Sequence, residues 1–149
     1  MKYDMVGTAE QRVWLLVFEA GDRVLEAILR FANEADVRAC EVRGIGALSD
    51  VSIAFFDRDS RRYEELPVSE QVEVLALLGN ITLGPEAERR AHLHVTLGRR
   101  DGTTLGGHFI DGTVWPTLEV FVRETAGVIR RTADPESGLA LIDLSGDKA

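Results

Sequence analysis

The chain has 149 residues, 45% hydrophobic and 28% charged, which suits one globular domain with a core of its own. No apolar run is long enough to span a bilayer, and Cys40, the single cysteine, excludes an internal disulfide and a cysteine zinc site. The net charge of −8, from 25 acidic and 17 basic residues, works against nonspecific binding to phosphate backbones.

The opening segment, "MKYDMVGTAEQR", lacks the apolar stretch of a signal peptide, so a cytoplasmic location is expected. Residues 11–20, "QRVWLLVFEA", are rich in Val, Leu, Trp and Phe and predict a strand. Asp22 is placed to cap the segment that follows. In residues 23–35, Val24, Ile28, Phe31, Ala32 and Ala35 recur at spacings of three and four, with Leu25 and Leu29 widening the face. This is the one convincing amphipathic helix. Residues 37–48, "VRACEVRGIGAL", read as a strand ending in glycines, with Gly44 and Gly46 marking a bend, a bulge or a close backbone approach. Cys40 in this strand reads as a buried, inert thiol. Residues 50–57 predict another strand, and Pro67 is expected to stop a short one in "RRYEELPVS". Residues 70–83 form a long, mostly apolar strand broken by Gly84 and Pro85. Residues 91–100 alternate well, Asp101-Gly102 signals a hairpin turn, and residues 105–116 return. Residues 117–125 predict a further strand, followed by a short strand, a turn and a last strand. The pairs Arg61-Arg62, Arg89-Arg90, Arg99-Arg100 and Arg130-Arg131 read as scattered surface charge.

Strand, one helix, then strands joined by tight turns is an α+β pattern: a mainly antiparallel β-sheet with one principal amphipathic helix packed on it. A single domain covers 1–149, with its core at about 8–144 and a loose tail at 145–149.

All three histidines, His92, His94 and His108, fall in "HLHVTLGRRDGTTLGGH". Residues i and i+2 of a strand share a face, so His92 and His94 project together. A turn at Asp101-Gly102 places residue 94 opposite roughly residue 109, which brings His108 beside them on the partner strand. Gly106 and Gly107 remove bulk just before it. Three imidazoles on two stiff strands make half of a tetrahedral or octahedral metal shell. Zinc is the first choice; iron, nickel, copper and manganese also suit such ligands. A hydrogen-bonded cluster without metal is the alternative. Glu73 in "VEVL" and Glu119 in "LEVF" are carboxylates among apolar residues. Each is a candidate to orient a histidine or to act as a base, or else to face solvent or a salt bridge between protomers. Phe109 and Trp115 are expected to pack, and the apolar stretch "EVLALLGNI" to be buried between protomers.

"RGIGALSDVSIAFFD", "VEVLALLGNI", "HLHVTLGRRDGTTLGGHF" and "TLEVFV" together resemble, in order and at normal spacing, the motifs of the PPC (or PCC) domain, plants and prokaryotes conserved. The resemblance runs over roughly residues 8 to 144. "EQVEVLALLGN" corresponds to the family's Gly-Arg-Phe-Glu-Ile-Leu segment; it keeps Glu73 but departs at the Gly, Arg and Phe, where Glu70 or Gln71 and Val72 stand. The resemblance implies a compact α+β domain, a homotrimer, and a metal ion at the HxH and GGH positions in some prokaryotic members. It also implies a DNA-binding label, inherited from plant proteins in which AT-hooks precede the domain. This chain has no Arg-Gly-Arg core of an AT-hook, and it is acidic, so the label lacks its physical basis here.

Three functions are then expected to compete. The first is a zinc-binding homotrimer, with an open coordination position, that recognises a small molecule or protein. The second is a DNA-associated or regulatory protein. The third is a metal-dependent enzyme, such as a hydrolase or lyase, using that open position.

Overall fold

The computed structural model describes residues 1–145, so all but the first residue of the expected tail at 145–149 lies outside the described residues. In chain order the elements are β1 (Lys2–Met5), β2 (Val13–Glu19), α1 (Val24–Glu34), β3 (Cys40–Asp57), β4 (Arg62–Val68), β5 (Val72–Leu83), β6 (Arg89–Gly98), β7 (Thr104–Glu124), β8 (Arg130–Ala133) and β9 (Ala140–Asp143). Pairing is antiparallel throughout except for one parallel bridge between Leu83 and Arg130. The α+β class, the antiparallel sheet and the single helix follow the sequence pattern.

Two strands are longer than their sequence suggests. Residues 37–48 and 50–57 fuse into β3, and residues 105–116 and 117–125 fuse into β7. Their length lets one strand serve two neighbours in succession. The first half of β3 pairs with β5 and the second half with β4, while β7 runs along its other edge. The pairings β3–β5, β5–β6, β6–β7 and β7–β3 thereby close a circuit around the core. Neither proline breaks its strand. Pro67 lies in β4, which pairs on one side only, where a missing N–H costs no ladder bond. Pro116 falls between Val114 and Leu118, where β7 skips register against β3 and its pairing with β2 has yet to begin at Thr117.

Gly46 explains the bend predicted in β3. Register shifts on both sides of it, its φ is +154°, and a Cβ there would lie 2.4 Å from the Thr117 carbonyl oxygen. β1 was not foreseen; it pairs with β2 and brings Tyr3 within 4.9 Å, between ring centroids, of Phe31 on α1.

α1 buries Val24, Ala27, Ile28, Phe31 and Ala32 against the core and packs over β6 and β7. Val24, Ile28 and Phe31 each contribute about 1.5–3 kcal/mol by leaving water, and the two alanines less. Asp22 does not cap it. Its carboxylate instead accepts from the Glu19 N–H and pairs with the Met1 ammonium at 2.5 Å. The cap comes from across the sheet: Asp111 on β7 accepts the Leu25 N–H at 2.9 Å and holds Arg23 at 2.8 Å. The helix is therefore fastened to β7 three residues beyond His108.

Candidate metal centre

The hairpin closes as its turn residues require. Gly102 takes φ +83°, its N–H donates to the Arg99 carbonyl, and the Arg99 N–H donates to the Thr103 carbonyl. This sets the register, and His94 stands directly opposite His108, one residue from the expected position. Alternation along β6 puts Leu93, Val95 and Leu97 into the core and His92, His94 and Thr96 on the outer face. Gly107 permits the packing beneath His108, since a Cβ there would meet the Ala54 carbonyl oxygen at 2.8 Å.

The three imidazoles converge. Ring centroids are 5.1 Å apart for His92–His94, 5.3 Å for His92–His108 and 5.4 Å for His94–His108. One nitrogen from each lies within 4.8 Å of the others, and the Nε2 atoms of His92 and His94 are 3.2 Å apart. Two nitrogens at zinc distance in a tetrahedron sit about 3.3 Å from each other, so this spacing suits joint ligation as well as a hydrogen bond. The Nδ1 of His108 is buried without a hydrogen-bond partner among the described residues. An orphaned imidazole nitrogen in such a cluster fits a metal-ligand set. Burial, reinforced by the neighbouring His92 and His94, pushes the His108 pKa down to about 4. Burial also lowers that of His92, with the positive charge of Arg131 and then His94 adding to it. Both shifts favour the neutral imidazole that a metal binds.

Tyr63 on β4 stacks on His108, with 4.5 Å between centroids and planes 26° apart. No local sequence pattern signals this contact, because it reaches across β3. Arg131 was also missed. It is 7% exposed, not a surface residue. Its guanidinium donates to Thr82 Oγ1 at 2.8 Å, Asn80 Oδ1 at 2.9 Å and the Ala140 carbonyl at 3.0 Å. Arg90 pairs with Glu88 and Arg99 with Glu70 toward the surface, while Arg89, more covered, pairs with Asp36 and donates to the Val37 carbonyl.

Glu73 and Glu119 are exposed, and the structure brings neither to the histidines within one chain. Glu119 is opposite Ile45 on β3, whereas His108 is opposite Ala54, nine residues further along, or roughly 30 Å of strand. Glu73 pairs with Gly98, and His92 with Asn80, seven residues along β5. Phe109 packs in the core as expected, but Trp115 is 53% exposed. Cys40 is buried, and burial first of all pushes its thiol up to about 12, consistent with an inert side chain.

The sequence profile of the Plants and Prokaryotes Conserved (PCC) domain matches residues 5–126. The chain belongs to the PCC family. Two solved structures place this PCC chain among relatives. One, from Bacteroides thetaiotaomicron, is described as a candidate DNA-binding protein; it is 26% identical with a TM-score of 0.87, over 97% of this chain and 99% of that one. The other, from Archaeoglobus fulgidus, is described as a metal-containing protein; it is 29% identical with a TM-score of 0.82, over 95% of this chain and 96% of that one. The bifunctional protein GlmU of a Synechococcus strain is 28% identical over 134 residues, or 88% of this chain. The PCC chain spans about a fifth, 20%, of the length of that curated relative. No helix among the described residues is long and apolar enough to cross a membrane.

Proposed function

We propose that this protein is a metal-binding homotrimer that holds zinc on His92, His94 and His108 and recognises a small molecule or a protein partner. The observation that carries the reading is the convergence of three imidazole nitrogens within 4.8 Å from two paired strands, beside a His108 ring whose Nδ1 is buried and has no partner among the described residues. The metal-containing relative from Archaeoglobus fulgidus, 29% identical, supports it. Three ligands leave at least one position open, and a bound zinc would supply Lewis-acid chemistry there.

Exposed apolar residues flanking an arginine support association. Phe121, Arg43 and Leu78 are directly opposite one another across β7, β3 and β5, and Leu78 is in turn opposite His94. Phe121 and Leu78 are 43% and 51% exposed, so one outer face carries both the apolar residues and the histidines. A second protomer seated there would bury these residues and border the metal.

Metal content per chain, measured by mass spectrometry on protein without a histidine tag, tests the first part. Near one metal per chain, lost in the His92→Ala, His94→Ala double variant, is expected. No metal in either protein after incubation with zinc overturns it. Light scattering tests the second part, with a mass near three times 16.4 kDa expected and a monomer mass fatal to the trimer.

A DNA-associated role is the second reading, favoured by the description of the Bacteroides relative. A salt-dependent shift of a mixed-sequence duplex supports it. No binding at low salt, where attraction to phosphate is strongest, removes it. A metal-dependent enzyme is the third reading, and a turnover lost on chelation and restored by zinc is its signature.

A further inference from the structure

Beside the histidines, lined by His92 and His108 but not by His94, lies a cleft of about 190 Å³. His92, His108 and Tyr63 line it; Arg90 and Arg131 contribute positive charge, and Leu139 and Leu141 of the β8–β9 connection and β9 add apolar surface. Arg131 stands out in a chain of net charge −8, because among the described residues no carboxylate pairs with it. A buried guanidinium without a counter-charge is costly. Its bonds to Thr82, Asn80 and Ala140 all go to neutral oxygens and use one N–H on each nitrogen. A guanidinium has five N–H groups, so those three contacts leave two without an assigned partner, one on each terminal nitrogen. Arginine presents such a fork to carboxylate and phosphate oxygens alike.

We infer that this cleft is an anion site that takes a small carboxylic acid, its carboxylate on Arg131 and its short hydrocarbon part against Leu139 and Leu141. The apolar wall favours a carboxylate with a hydrocarbon tail over phosphate, which is charged on every side. A cleft of about 190 Å³ is smaller than the usual pocket for a drug-sized ligand, so the guest is a few carbon atoms long. The inference deepens the reading above by naming a ligand class. His92 and His108 are shared between the cleft and the candidate metal centre, so a bound acid would lie beside the residues that would hold the metal.

The test starts from metal-free protein, so that it does not depend on zinc. Butyrate and inorganic phosphate are titrated separately while the Arg131 Nε–H and the amides of Ala140 and Leu141 are followed by NMR. Saturable shifts with butyrate, and weaker ones with phosphate, are expected. Arg131→Gln should weaken butyrate roughly 10- to 100-fold, the usual cost of losing a charged hydrogen-bond partner. Arg90→Gln alters an exposed side chain whose ion pair is with Glu88, two residues away, and should weaken butyrate severalfold at low salt and much less at high salt. Unchanged affinity in both variants, no shift at Arg131, or phosphate binding more tightly than butyrate overturns the inference. Butyrate binding at Arg131 in a protein that takes up no zinc would sustain it while the metal reading fails. Zinc uptake without butyrate binding would do the reverse.

Discussion

The two faces of β6 share one backbone and carry different cargo. Inward, Leu93, Val95 and Leu97 are at most 3% exposed and lean on the same core as α1. Outward, His92 and His94 meet His108, and His92 and His108 also line a cleft that contains a buried arginine. The inner face is fixed by packing, where every atom has neighbours and any truncation leaves a hole. The outer face has no such constraint, so its residue types report on what the strand binds. Substitutions on the two faces should therefore separate stability from binding.

The largest expected effect is on the inner face. Leu93→Ala removes a fully buried side chain and should cost about 2–5 kcal/mol of unfolding free energy, in the presence or absence of zinc. Urea titration measures it, and a loss below about 1 kcal/mol would mean that the core collapses onto the gap. Next comes zinc itself. At a free concentration of 100 times its dissociation constant, zinc should stabilise the protein by about 2.7 kcal/mol, reversed by a chelator. The His92→Ala, His94→Ala variant should lose this increment yet unfold close to the metal-free parent. A large drop in the metal-free double variant would show that the histidines serve the fold, which would erase the contrast between the faces. Smaller still is Asp111→Ala, which removes the remote cap on Leu25 and the pairing with Arg23. A cost of about 1 kcal/mol is expected by comparison with other N-cap losses, with metal stoichiometry unchanged.

The same contrast shows which features are legible in sequence. Alternation over residues 91–100 and the Asp-Gly turn were enough to set His92, His94 and His108 together, because strand period and hairpin register are local properties. The helix at Val24–Glu34 was equally plain from its apolar spacing. What escaped is non-local. No pattern within residues 50–68 announces that Tyr63 will reach across β3 to His108. The Arg130-Arg131 pair looks like any other pair of surface charges until β8 sets beside β5 and Thr82 and Asn80 enclose the second guanidinium. Pro67 suggested a strand end because its tolerance depends on a missing neighbour, which only the assembled sheet reveals. Asp22 was the nearer cap, but Asp111, 86 residues from Leu25, holds the N–H.

The smallest expected effect tests how far the outer face extends beyond one chain. Glu119 shares the side of β7 on which Phe121 lies, two residues along, and it is opposite Ile45, which is 60% exposed. Within the chain it has no route to the histidines, so Glu119→Gln in a monomer should leave zinc affinity and stability unchanged. In a trimer whose protomers meet on this face, the carboxylate can approach a neighbour's metal centre. A second carboxylate hydrogen-bonded to a ligand commonly alters metal affinity by 10- to 100-fold. Zinc titration of Glu119→Gln, with Glu73→Gln as the companion, therefore reads the assembly through the metal. An unchanged affinity confines the site to one hairpin, and a tenfold loss in Glu119→Gln alone makes the metal centre a property of the interface.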